Sequence, residues 1–135
     1  MKTLTAILLL LFVSARLLAP NYPALYVERS EPVKPFESIW KAVCIVESNG
    51  NPLAWNEEEN SIGIVQIREC KVADYNRLTG SNIKHEDCYS VAVSKAIFMW
   101  HMDNYGAYRI DEGIRRWNGS GKQTDIYLEK VKQIL

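Results

Sequence analysis

The chain has 135 residues, with 16 basic and 16 acidic side chains. That balance excludes a nucleic-acid binder working through a strongly basic surface, and it gives no bulk attraction to an anionic membrane. The length suffices for one compact domain with a single core.

Met1-Lys2 and the apolar run Leu4 to Leu18, broken only by Thr5, Ser14 and Arg16, predict a signal peptide over residues 1–19. Val13-Ser14-Ala15 is the expected cleavage site, because a cut after Ala19 would leave Pro20 next. An uncleaved N-terminal anchor is the alternative, although the apolar core is short for a span of about 20 residues. Taking Lys2 and Arg16 from the 16 basic residues leaves 14 against 16 acidic ones, so the mature part is slightly acidic. Four of the five prolines (Pro20, Pro23, Pro32 and Pro35) fall in residues 20–35, which read as an extended linker. An exported protein is therefore expected, periplasmic or extracellular and either free or tethered to the cytoplasmic membrane.

From Pro35 the pattern turns helical. Pro35 suits a first helical position, and Phe36, Ile39, Trp40, Val43 and Val46 recur at three- and four-residue spacing. The helix ends on Glu47, with Gly50 and Pro52 to stop it. A carboxylate with apolar neighbours is poorly solvated, so its pKa rises, which is the condition a general acid needs near neutral pH. Residues 53–60 read as a polar loop with an acidic tip. Ile62 to Ile67 fit either a strand or a helix.

Lys71 to Leu78 predict a helix with Val72, Tyr75 and Leu78 on one face, closed by Gly80. A long helix follows from about Glu86 to Asn104, with Tyr89, Val93, Ile97 and Trp100 inward. Asp111 is expected to cap a helix burying Ile114 and Trp117, and Thr124 one burying Tyr127, Val131 and Ile134. The fold class is all-α: five or six short helices around one core. Cys44, Cys70 and Cys88 allow at most one internal disulfide. Cys70–Cys88 is the expected pair, both being at helix ends in polar surroundings, while Cys44 packs inward. There is no Cys-x-x-Cys spacing, so no zinc site is expected. His85-Glu86-Asp87 reads as a solvated helix start, and no serine has the context of a triad.

Three segments, in order, resemble one family. Glu47-Ser48-x-Gly50-Asn51-Pro52-x-Ala54 is similar to the first motif of the soluble lytic transglycosylase (SLT) domain. Ser61-Ile62-Gly63-Ile64-Val65-Gln66-Ile67 looks like its second motif. Arg116-Trp117-Asn118-Gly119-Ser120 with Tyr127-Leu128-Glu129-Lys130-Val131 resembles its third. The resemblance covers residues 36–135 and implies a lysozyme-like domain with a substrate cleft. It departs from the family pattern mildly at Ser120 and Val65, and residues 68–88 are unlike it.

The resemblance implies cleavage of the bond between N-acetylmuramic acid and N-acetylglucosamine in peptidoglycan. Glu47 would be the acid, then the base for closure of a 1,6-anhydro ring. That intramolecular attack requires neither a bound water nor a second catalytic carboxylate.

Substrate-binding roles are expected for Ser48, Gly63, Gln66, Asn118 and Tyr127. Ser48 either bonds the carboxylate or serves the helix end, and Gln66 contacts sugar or makes a structural hydrogen bond. Gly63 permits close backbone approach, to substrate or to the first helix. Asn118 lines the cleft or takes a left-handed turn conformation, and Tyr127 packs in the core with a hydroxyl able to orient Glu47. Trp55 and Trp117 stack on sugars unless Trp117 is buried; Trp40 and Trp100 read as core.

The partner is the peptidoglycan strand, with secretion, conjugation or phage machinery as possible settings. No nucleic acid, cofactor or metal is expected, and the protein is read as a monomer. Two alternatives stand beside this reading. One is a hydrolase of the same fold using a second carboxylate from Glu57-Glu58-Glu59; the other is a peptidoglycan-binding protein without activity.

Overall fold

The computed structural model describes residues 36–135. The signal-peptide and linker readings, and Pro35, lie outside the described residues.

Helix α1 (Glu37–Ser48) buries Ile39, Trp40, Ala42, Val43 and Cys44, the three- and four-residue recurrence that puts apolar side chains on one face. Asn49 stops it in the left-handed conformation, φ 52°, with its N–H on the Ile45 carbonyl at 3.0 Å. Asparagine tolerates that geometry better than other residues with a Cβ. Glu47 is therefore held on the last turn of the helix.

The next twenty residues add a small sheet to a fold that is otherwise mostly helical, in keeping with the all-α expectation in its main part. Three two-residue strands, β1 (Trp55–Asn56), β2 (Ser61–Ile62) and β3 (Ile67–Arg68), form an antiparallel sheet in that order. Trp55 pairs with Ile62, and Ile62 with Ile67. The rest of the described chain is mostly helical. Strands this short carry no alternating period, so the run Ile62 to Ile67 fitted a strand no better than a helix, and β1 had no mark at all.

Helix α2 (Glu69–Thr79) buries Val72 and ends at left-handed Gly80. Leu78, expected inward, is exposed. The long helix predicted from Glu86 is two elements: a 3₁₀ helix (His85–Tyr89) and α3 (Val91–Tyr105), parted by extended Ser90. Its buried face is Ser94, Ile97, Phe98, His101 and Met102, with Val93 and Trp100 half-buried and Tyr89 exposed. Two polar residues disguised that stripe. Each is satisfied internally: Ser94 Oγ donates to the Cys88 carbonyl at 2.6 Å, and His101 Nε2 donates to the Gly113 carbonyl at 3.0 Å. His85-Glu86-Asp87 does start a helix, with Glu86 and Asp87 exposed, but His85 itself is tied down, its Nε2 donating to the Ile67 carbonyl at 2.7 Å.

Helix α4 (Ile110–Asn118) buries Ile114 and Trp117 as expected, but Asp111 lies inside its first turn and pairs with Lys132 instead of capping. Helix α5 (Gln123–Lys132) buries Tyr127, Leu128 and Val131, with Thr124 inside the helix and Ile134 exposed beyond its end. Phe98 sits at the centre of the core, its ring 5.4 Å from Trp40 and 5.0 Å from Trp117. Trp100 lies half-buried at the margin rather than in the core.

The expected disulfide is absent: Cys44, Cys70 and Cys88 are all free. Cys88 is fully buried and Cys70 faces solvent on the first turn of α2. Burial pushes the Cys88 thiol up to about 12 and the Cys44 thiol to about 11, so neither forms a reactive thiolate at neutral pH. A maleimide probe should label one thiol, Cys70, in the native protein and three after denaturation. Two native labels would refute the packing of Cys44 or Cys88.

Candidate active site

The packing of α5 against α1 brings together two side chains 80 positions apart. Tyr127 Oη donates to Glu47 Oε1 at 2.7 Å. Glu47 is half-buried and its pKa is raised from 4.5 to about 7. Desolvation is the main cause; the Tyr127 hydrogen bond opposes it, Glu59 adds to it, and Arg68 and Lys71 lower it. Near neutral pH the carboxyl is thus poised between its acid and base forms. Burial, with the charge of Glu47, pushes the Tyr127 phenol far above its ordinary value, so it remains a donor throughout.

Ser48, Gln66 and Gly63 hold the turn between β2 and β3 to its neighbours. Ser48 Oγ does not reach for the carboxylate; it donates to the Ile64 carbonyl at 2.7 Å, tying the end of α1 to the β2–β3 turn. Gln66 takes the structural role. Its Nε2 donates to the Gly63 carbonyl and its Oε1 accepts from Ser61 Oγ, each at 3.0 Å. Its backbone is left-handed, φ 50°, and that side-chain bracket holds the strained turn closed.

Gly63 makes a close approach, but neither to α1 nor toward a cleft. A Cβ there would lie 2.2 Å from the Cys88 carbonyl oxygen. Asn118 ends α4 half-buried in helical conformation, and Gly119, φ 134°, makes the turn in its place. The Asn118 side chain makes no hydrogen bond among the described residues. Trp117 is buried, whereas Trp55 stands 61% exposed on β1, open to a ligand.

Three charged residues around Glu47 fall on polar stretches with no periodic mark. Arg68 Nη2 pairs with Glu59 Oε2 at 2.8 Å, which occupies the one carboxylate of the acidic loop that acts on Glu47. Lys71 is half-buried on α2, its Nζ 4.7 Å from the Trp117 ring centre and donating to the Arg116 carbonyl at 3.3 Å. A single lysine in a polar helix reads as solvated, so nothing in the sequence marked it.

Among the described residues no group of three His, Cys, Asp or Glu side chains is placed to hold a metal ion, and no helix is long and apolar enough to cross a membrane. Comparison with protein-family models, with curated proteins and with solved structures finds no match to the chain.

Proposed function

We propose that the protein is a lytic transglycosylase of lysozyme-like fold, exported to act on peptidoglycan. The observation that carries this reading is the half-buried Glu47 carboxyl, raised to about 7 and gripped by Tyr127. A carboxyl with that pKa can give up a proton and take one back at the same pH. Protonated Glu47 donates to the glycosidic oxygen as the bond to the muramic anomeric carbon breaks, and the sugar becomes oxocarbenium-like. The resulting carboxylate removes the proton of the muramic 6-hydroxyl. That oxygen attacks the anomeric carbon, closing the 1,6-anhydro ring and returning the proton to Glu47. Tyr127 holds the carboxyl in place through both steps.

The hydrolytic alternative needs a second carboxylate to activate water. Glu59 is the acidic-loop residue that acts on Glu47, and its Oε2 is already engaged by Arg68 Nη2 at 2.8 Å rather than free to position a water. That favours the intramolecular reaction. Mass analysis of digested peptidoglycan decides between them: anhydro ends are lighter by one water than reducing ends. Reducing ends alone would show a hydrolase, and binding to sacculi with no products would show a protein without activity.

The pH profile tests the pair itself. The acid step needs protonated Glu47, so turnover should fall as pH rises through about 7. Tyr127→Phe removes a donor that favours the charged form, so the Glu47 pKa rises and the alkaline limb moves to higher pH. The plateau rate should drop about tenfold, the size of one lost hydrogen bond. A limb unmoved by this change would mean that another group titrates.

A further inference from the structure

A cavity of about 210 Å³ opens between α2, α3 and α4, and Glu47 does not line it. Its walls include Lys71, Trp100, His101, Tyr105, Arg116 and Trp117. Two other charges at this cavity are already engaged. Arg116 Nε bonds Glu112 Oε1 at 2.8 Å, and Asp74 Oδ1 accepts from Arg77 at 3.1 Å. Lys71 differs from them: it is half-buried and has no carboxylate within ion-pairing distance among the described residues. One of its protons is used on the Arg116 carbonyl, and the Trp117 face takes part of its charge. A desolvated ammonium whose direct contacts are neutral, with Asp74 and Glu47 acting on it only from beyond ion-pairing distance, attracts an anion.

We propose that this cavity is a subsite for a carboxylate-bearing side group of the glycan substrate, with Lys71 binding the carboxylate and the aromatic walls covering the group's apolar part. The inference rests on the transglycosylase reading for the identity of the strand. The cavity is smaller than the roughly 300–1,000 Å³ of pockets that enclose a whole small ligand, so it suits a side group and not a disaccharide. Lys71 lies on the first turn of α2, seven residues after Ile64, whose carbonyl is bonded by Ser48, so the cavity opens off the same frame that carries Glu47. A muramic sugar carries a lactyl-linked peptide with free carboxylates, and that substituent is the part of the strand with the matching chemistry. Burial lowers the Lys71 pKa to about 8 and keeps His101 neutral, lowering it to about 4, so Lys71 remains mostly charged at neutral pH while His101 adds no competing charge.

The test is the ratio of kcat/KM on strands that keep their stem peptides to that on strands stripped of them. Any effect of Lys71 on Glu47 enters both values and cancels. Wild type should favour peptide-bearing strands by about tenfold, the worth of one charge-assisted hydrogen bond. Lys71→Met should bring the ratio near one, and Lys71→Arg should keep most of it. An unchanged ratio in Lys71→Met overturns the subsite.

If wild type turns over neither strand, the transglycosylase reading fails, and binding then decides the cavity. The probe is N-acetylmuramoyl-L-alanyl-D-glutamate, followed by tryptophan fluorescence, with N-acetylglucosamine as control. Saturable quenching in wild type that is lost in Lys71→Met supports the subsite; no saturable response in wild type overturns it. Equal binding of acetate would assign the cavity to a free small carboxylate and overturn the link to the strand.

Discussion

Glu47→Gln is expected to lower release of soluble glycan fragments by roughly 10²- to 10⁴-fold, the range a single positioned acid–base group contributes. The amide has the shape of the carboxyl and still accepts from Tyr127, so the circular dichroism spectrum should match wild type. Stability supplies a second readout that does not depend on activity. The folded-state pKa of Glu47 lies near 7, above its ordinary 4.5, so folding favours the protonated form. Its contribution is fully present below about pH 4.5 and is lost as pH rises through about 7.

The amide side chain does not titrate. The Glu47→Gln variant should therefore gain on wild type as pH climbs from 4.5 past 7, by up to about 3 kcal/mol at neutral pH and above. Denaturant midpoints across that range measure the gap. Clearing activity that survives the substitution would remove Glu47 from the chemistry. A stability gap that stays flat with pH would show that the carboxyl is solvated. His101 adds an opposing slope common to both proteins: its depressed folded pKa makes the fold lose stability as pH falls from about 6.5 toward 4, and the comparison cancels it.

Gly63→Ala should be the most damaging change to the fold outside the core. Its φ of 80° lies in the left-handed region, which costs a non-glycine residue roughly 1–2 kcal/mol. The added carbon would also meet the Cys88 carbonyl oxygen at 2.2 Å, a backbone atom that cannot swing aside like a flexible side chain. Overpacking of this kind costs roughly 1–3 kcal/mol more. A total of roughly 2–5 kcal/mol lowers the melting temperature of a domain this size by about 10 °C or more. Thermal unfolding measures it directly; a shift under about 3 °C would mean that the contact relaxes freely. Activity should fall with it even at low temperature, because the same turn is joined through the Ile64 carbonyl to Ser48, the residue after Glu47.

Much of the helical framework was legible in the chain because the core demands a period. Ile39, Trp40 and Val43 on α1, Ile114 and Trp117 on α4, and Tyr127 and Val131 on α5 are all buried where three- and four-residue spacing placed them. Glu47 was legible for the same reason: an apolar stripe ending on a carboxylate implies a poorly solvated acid. The inward face of α3 was not, since Ser94 and His101 break its stripe and only their partners on distant backbone, the Cys88 and Gly113 carbonyls, explain their burial. Nor were the two-residue strands, which are held by register and turn geometry and not by pattern.

Local chemistry therefore determined, from the sequence alone, where the helices with intact apolar stripes run and which carboxylate sits at the end of one. The tertiary structure decided how that carboxylate is surrounded. It assigned Tyr127 to Glu47, bonded Ser48 and Gln66 and fitted Gly63 into the frame of a turn, left the cysteines unpaired, and set Lys71 in the wall of a cavity. Periodicity reports which face of an element leaves water. A hydrogen bond between residues 80 apart, or an ammonium left without a carboxylate, depends on how faces from different elements meet, and no stretch of chain records that by itself.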